Sequence, residues 1–222
     1  MRAWRRWLGG ALCAGVLVML GIARLGLPGS PGLTREALER LGDSGVTNPV
    51  TAALLNFRGY DTLLEVIVLL LAVVGVWSLP GAPASRSAVA THPALPPLLR
   101  WVLPVLILAA GHLLWLGSFA PGGAFQGGAL LGGAVVLLLL AGAGGAALRR
   151  ALAVGPVVGP TVFLAVAAGV MARTGGLLQY PPAQAGAWIL VSEAAALVSV
   201  GFTLGALFLG AHPRQDAPDE HG

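Results

Sequence analysis

The sequence predicts an all-α integral membrane protein of about six transmembrane helices, with both termini cytoplasmic. Three observations carry that expectation. Hydrophobic residues make up 56% of the 222 residues and charged residues 10%, whereas a soluble domain carries about 25% charged residues because its surface must face water. Mean hydropathy is +0.83. The apolar residues also fall in runs of about 20, the length that crosses the hydrocarbon core as a helix. Finally, the 33 glycines and 16 prolines sit within apolar runs without a collagen-like period, and both are commoner in transmembrane helices than in soluble ones. The formal charge of +4 does not signal nucleic-acid binding. Every base is an arginine, placed singly or in pairs with no basic stripe.

Taken in order, the expected spans are residues 7–27, 59–79, 98–117, 125–147, 153–172 and 187–210. The first follows a basic segment, Met1–Arg6, and a signal peptide would begin the same way. Its run from Trp7 to Leu27 is long for such a leader, and no small-x-small cleavage site follows. It is therefore read as a retained helix, with Cys13 as apolar bulk. The only substantial polar loop, Pro28 to Asn56, contains T-R-E-A-L-E-R-L at Thr34–Leu41, which suits a short amphipathic helix at the outer interface. Residues 81–97, rich in Pro, Ala and Ser, read as a cytoplasmic linker. It divides a two-span piece (1–80) from a four-span piece (98–211), and a disordered polar tail (212–222) follows.

Arginines set the orientation. With the N-terminus inside, Arg2, Arg5, Arg6, Arg86, Arg100, Arg149, Arg150 and Arg214 are cytoplasmic. Arg24, Arg35, Arg40, Arg58 and Arg173 are outside. That excess on the inner side follows the positive-inside rule. The pair Arg149–Arg150, closing the fourth span, is the clearest marker. Pro156 and Pro160 are expected near the start of the fifth span, where a missing amide donor costs least.

Ionisable groups within hydrocarbon are costly and usually face a bundle interior or a hydrated cavity. The second span opens N-F-R-G-Y-D-T-L-L-E, Asn56 to Glu65. Asp61 and Glu65 share one helical face; Arg58 lies three residues before Asp61 and can pair with it. Glu193 falls about two turns into the sixth span and His112 about a turn from the end of the third. The expected topology puts Arg58, Asp61, Glu65, His112 and Glu193 in the outer half of the membrane. Either they form part of a proton or cation route, or they are interfacial anchors and structural hydrogen-bonding groups. The loop after the third span reads P-G-G-A-F-Q-G-G, Pro121 to Gly128. No Gly-Lys-Ser/Thr follows, so it is not a P-loop. Gly128-x-x-x-Gly132 is a spacing that lets helix backbones approach closely. No metal-ligand spacing, nucleophile constellation or cofactor fingerprint is found, and the chain is not expected to be an enzyme.

Two of these segments are familiar. Asn56–Glu65 resembles the F-R-G-F-D-T-L-G-E signature of the MbhE-like domain, found at the end of the large A subunit of Mrp-type cation/proton antiporters and in membrane-bound hydrogenases. Pro121, Gly122, Gly123, Gly127 and Gly128 carry a resemblance to the P-G-G-G-F-x-G-G motif of the MnhB/MrpB subunit. Leu64 stands where the first signature often has glycine, and Ala124 replaces the third glycine of the second. The B subunits commonly have an Asp-Ile-Gly-Val-like segment near the position of Ser192-Glu193. The order, MbhE-like then MnhB-like, implies the two pieces fused in one chain.

The resemblance implies a plasma-membrane subunit of a prokaryotic multisubunit Na⁺/H⁺ antiporter, with no cofactor, packed beside a large A-type subunit and a small C-type subunit. Glu65, and with it Asp61, Glu193 or His112, would contribute to an ion path. The absence of lysine from the chain fits an accessory role, because the resemblance assigns proton movement to lysines of the large subunits. A membrane-arm subunit of a hydrogenase or other complex-I-like assembly, and a purely structural subunit, are the alternatives.

Overall fold

The computed structural model describes residues 3–25, 33–79, 94–142 and 145–210. Most of the expected linker, the polar tail and Arg2, Arg86 and Arg214 lie outside these residues. The described residues are helical with turns and no strand. They fall into two compact units, 1–38 and 39–222. The first unit holds helix α1 (Ala3–Leu25), whose apolar stretch is Gly10–Ala23. Helix α2 (Leu33–Glu39) overlaps the helix expected at Thr34–Leu41, with Glu36 in its first turn, where the helix dipole favours an acid.

The second unit is a helix bundle. A short helix α3 (Pro49–Thr51) continues as a π-helical turn, Ala52–Phe57, into α4 (Gly59–Trp77). Then come α5 (Leu95–Leu116), α6 (Ala124–Leu140), α7 (Ala146–Thr174) and α8 (Ala185–Leu209). Four helical segments, Gly59–Trp77, Leu95–Leu116, Ala146–Thr174 and Pro182–Leu209, are long and apolar enough to cross a membrane. By that measure four of the six expected spans are met; Gly10–Ala23 and Ala124–Leu140 are shorter.

Helix α8 is the centre of the unit. Within its most apolar stretch 67% is buried, against 11% for α5. Close approach is achieved with glycine. A Cβ on Gly128 would lie 2.7 Å from that of Val200, and one on Gly132 would lie 2.8 Å from Leu204 Cδ1. The expected Gly128-x-x-x-Gly132 spacing thus packs α6 along α8. From the other side, Gly159 approaches Ser199, and Gly155 approaches Phe202. Residue numbers rise together along α6 and α8 and oppose one another along α7 and α8, so the first pair is parallel and the second antiparallel.

Two expectations about α7 are corrected. The helix begins at Ala146, not 153, because the preceding helix already stops at Leu140 and Gly142 takes a left-handed turn (φ 77°). Arg149 and Arg150 therefore sit in the first turns of α7 instead of closing the fourth span. Pro156 and Pro160 consequently lie in the helix interior. A proline there removes the amide that would bond the carbonyl four residues earlier. Pro160 in this way orphans the Pro156 carbonyl, and the Ser199 hydroxyl of α8 donates to it at 2.7 Å in a buried contact.

Candidate functional site

The site begins with a turn. After α5 the chain reverses through Gly117–Gly123, with the Gly123 amide donating back to the Leu113 carbonyl at 2.8 Å. A Cβ on Gly117 would lie 2.7 Å from Gly123 Cα, and one on Gly122 would lie 2.6 Å from Leu113 O. Gly123 itself has φ 117° and ψ −172°, a region essentially reserved for glycine. The Pro-Gly-Gly sequence is thus required by a turn folded onto its own helix, immediately before α6 begins.

A second segment clamps this turn. Asn48 caps α3 by accepting from the Val50 amide at 3.0 Å, with Pro49 pre-set for the first helical position. Its Nδ2 donates to the carbonyls of Gly117 (2.9 Å) and Ala120 (2.8 Å). The Thr51 hydroxyl donates to Gly117 O at 2.5 Å, and the amides of Thr47 and Asn48 both reach Ser118 O at 3.0 Å. Beyond Thr51 the π-turn widens the helix, and Thr62 of α4 donates to the Leu54 carbonyl at 2.6 Å. Such π-turns often accompany functional sites.

Between the clamp, α4, the start of α6 and α8 lies a cavity of about 250 Å³. Its polar lining consists of Thr51, Thr62, Glu65, Gln126 and Glu193. Glu65 projects from the second turn of α4 and is exposed; Glu193, from α8, is 3% exposed. One oxygen of Glu193 accepts the backbone amide of Ala124 at the N-terminus of α6, where unpaired amides and the helix dipole favour an anion. The other, Oε2, is buried without a hydrogen-bond partner among the described residues. Gly123 matters here as well, since a Cβ at that position would lie 3.0 Å from Glu193 Oε1. Thr51 and Thr62 have committed their protons to backbone carbonyls, so what they offer the cavity is lone pairs. Two carboxylates and two hydroxyl acceptors, with the Gln126 amide beside them, give a chamber whose acceptors suit a proton or a small cation.

The expected polar cluster divides. Glu65 and Glu193 meet in the cavity. Arg58 and Asp61 form an exposed ion pair at 2.5 Å and do not line it. His112 is on the exposed side of α5, also away from it. Behind Glu193, Ser192 is fully buried and Tyr180 nearly so. Burial raises the Tyr180 phenol above its usual range, and the adjoining Ser192 hydroxyl pulls the other way. Sequence reasoning missed Asn48, Thr51, Thr62 and Gln126. The Asn48-Pro49 pair was a readable helix-start signal, but nothing local showed that Asn48 also holds a turn some seventy residues away.

The family of domains related to the MnhB subunit of the Na⁺/H⁺ antiporter matches residues 95–211 of the chain. Among solved structures, the chain is similar to one in the Mrp complex from Dietzia sp. DQ12-45-1b, with a TM-score of 0.61 and 23% sequence identity. That match covers 98% of this chain and 27% of the other, so the present chain spans about a quarter of the length of the one it resembles. No curated protein matches.

Proposed function

The chain belongs to the family of domains related to the MnhB subunit of the Na⁺/H⁺ antiporter, and on that premise we propose that it is a membrane subunit of a multisubunit monovalent-cation/proton antiporter whose Glu65–Glu193 cavity forms part of the ion path. The observation that carries this reading is the meeting of two carboxylates, from α4 and α8, in one acceptor-lined cavity. Ionisable groups at membrane depth usually mark ion pathways. Glu193 Oε2 has no hydrogen-bond partner among the described residues and is free to take a proton or contact a cation, while Ala124 holds the other oxygen in place. Glu65 stands at the exposed side, where an ion enters or leaves.

In this reading residues 1–80 are the MbhE-like piece and residues 98–211 the MnhB-like piece of one fused subunit. Support comes from a likeness that runs through 98% of the chain within a single chain of the Dietzia complex. The subunit packs beside an A-type and a C-type subunit in a prokaryotic plasma membrane. It crosses that membrane six times, α1 and α6 included, with both termini inside.

The test is antiport by the assembled complex carrying Glu65→Gln or Glu193→Gln, read as Na⁺-dependent dissipation of a pH gradient in membrane vesicles. Each substitution keeps the shape and removes the exchangeable charge. The expected outcome is a fall of about tenfold or more, equivalent to about 1.4 kcal/mol on the transport barrier, with normal assembly. Unchanged rate and apparent cation affinity in a normally assembled complex would mean that the carboxylates are structural. The bond from Glu193 to Ala124 favours that second reading for Glu193 specifically, as a side-chain anchor for the start of α6.

A further inference from the structure

Helix α8 carries three hydroxyls, Ser192, Ser199 and Thr203, all on one face and all buried. The hydroxyl of Ser199 is accounted for by the Pro156 carbonyl of α7. That of Thr203 is buried with no hydrogen-bond partner among the described residues. It does not turn back on its own helix, as Ser78 and Thr174 do by donating to the carbonyl four residues earlier at 2.7 and 2.9 Å. A buried hydroxyl without a partner is costly, and lipid offers no hydrogen bond to relieve it.

The α7 side of the same contact has the complementary defect. Pro156 lacks an amide just as Pro160 does, so the Leu152 carbonyl loses its helical donor in the same way as the Pro156 carbonyl. Leu152 lies one turn before Pro156, and Thr203 lies one turn after Ser199. Because α7 and α8 are antiparallel, the register that joins Pro156 to Ser199 also sets Leu152 beside Thr203. Packing agrees with that register: Leu152 is fully buried, and a Cβ on Gly205 would lie 2.9 Å from Leu152 Cδ2. One proline-freed carbonyl is therefore matched by a hydroxyl that bonds it directly. The next stands beside a hydroxyl that makes no direct bond.

We propose that the Leu152 carbonyl and the Thr203 hydroxyl form a binding site for one buried water molecule between α7 and α8. The water donates to the carbonyl and accepts the Thr203 proton, so the freed groups of both helices are satisfied together. Two or more polar partners are what an internal water requires, and freed backbone groups of membrane helices are repaired by such waters as well as by Ser and Thr side chains. A cation is the poorer occupant, because a carbonyl and a hydroxyl bring no charge to offset its dehydration. The site is separate from the Glu65–Glu193 cavity, which neither Leu152 nor Thr203 lines. It gives the α7–α8 contact one direct rung, at Ser199, and one water-filled rung, at Thr203.

The experiment is X-ray radiolytic footprinting of the full chain in native membranes in heavy-oxygen water. The pulse converts a bound water into hydroxyl radical, which labels the side chain beside it. After correction for intrinsic reactivity, Leu152 is expected to be labelled several times faster than Phe163 and Ile189, which are just as buried. Thr203→Val removes one partner of the water, and Pro156→Ala returns an amide to the other. Each is expected to bring Leu152 down to the rate of the two controls, while Thr203→Ser, which keeps the hydroxyl, preserves its labelling. Equal labelling of Leu152, Phe163 and Ile189 in the unsubstituted chain overturns the proposal. So does Leu152 labelling that survives Thr203→Val, or that falls when Na⁺ replaces choline, which would make the occupant a cation. A misfolded variant reveals itself by a rise at Phe163 and Ile189, and the unsubstituted chain and Thr203→Ser then decide. Antiport is read in none of these arms, so failure here leaves the Glu65–Glu193 reading standing.

Discussion

Pro160 and Ser199 illustrate how a single residue on one helix can repair a defect in another. Pro160 deprives the Pro156 carbonyl of its amide, and Ser199, forty-three residues later, donates to it. Removing a buried hydrogen-bond partner costs about 1 kcal/mol, and more if the orphaned group finds no water. Ser199→Ala is therefore expected to lower stability by about that amount. In a Pro160→Ala background the backbone amide is restored, and the same substitution is expected to cost close to nothing. Thermal unfolding of the four variants in one detergent forms a double-mutant cycle. An equal cost for Ser199→Ala in both backgrounds would show that the carbonyl is not what the serine serves. At this scale the sequence was partly legible. It flagged Glu65 and Glu193 as acids in apolar spans, but it put Pro156 and Pro160 where a missing amide costs least, and Ser199 looked like any small residue of a membrane helix. Its role depends on which carbonyl it faces, and that is a property of packing.

Among the elements, α6 shows most clearly what a motif can and cannot say. Gly128-x-x-x-Gly132 announced a close helix contact without naming the partner, because the spacing encodes a flat surface and not the surface that meets it. Neighbouring glycines are not equivalent either. A Cβ on Gly132 would strike Leu204, whereas one on Gly133 meets nothing within 4 Å. Gly132→Val is expected to destabilise the fold by about 1–3 kcal/mol through overpacking, and Gly133→Val to have little effect. The comparison is read from melting temperature and from the fraction of monodisperse protein after extraction. Similar losses from both substitutions would refute the α6–α8 contact. The element boundaries that went astray did so for a related reason. Ala141–Gly145 reads as a continuation of an apolar run, yet Gly142 turns the chain there, and α7 starts early enough to enclose both prolines.

For the whole molecule, the alternating direction of α4 to α8 brings one set of helix ends together. The starts of α4, α6 and α8 and the ends of α5 and α7 lie at the end that carries the Asn48 clamp, the Gly117–Gly123 turn and the two carboxylates. That common end is expected to face outward. In a Cys13→Ser background, a cysteine at Ala183 should react with a membrane-impermeant thiol reagent in intact cells, and one at Gly145 only after the membrane is opened. The reverse pattern would put the cavity mouth on the cytoplasmic side. What the sequence by itself determined is the class of the molecule: a helical membrane protein, because 10% charge and long apolar runs leave a chain no other way to satisfy its backbone in lipid. It also pointed to the MnhB-related family through the Pro121–Gly128 motif, which lies within the matched residues 95–211, and named the acids that hydrocarbon does not readily accept. Only the tertiary structure decided that Glu65 and Glu193 share a cavity while Asp61 and His112 do not. Sequence spacing sets which face of its own helix a side chain occupies, but the rotation and register of one helix against another follow from where glycine permits contact and where capping groups hold the turns.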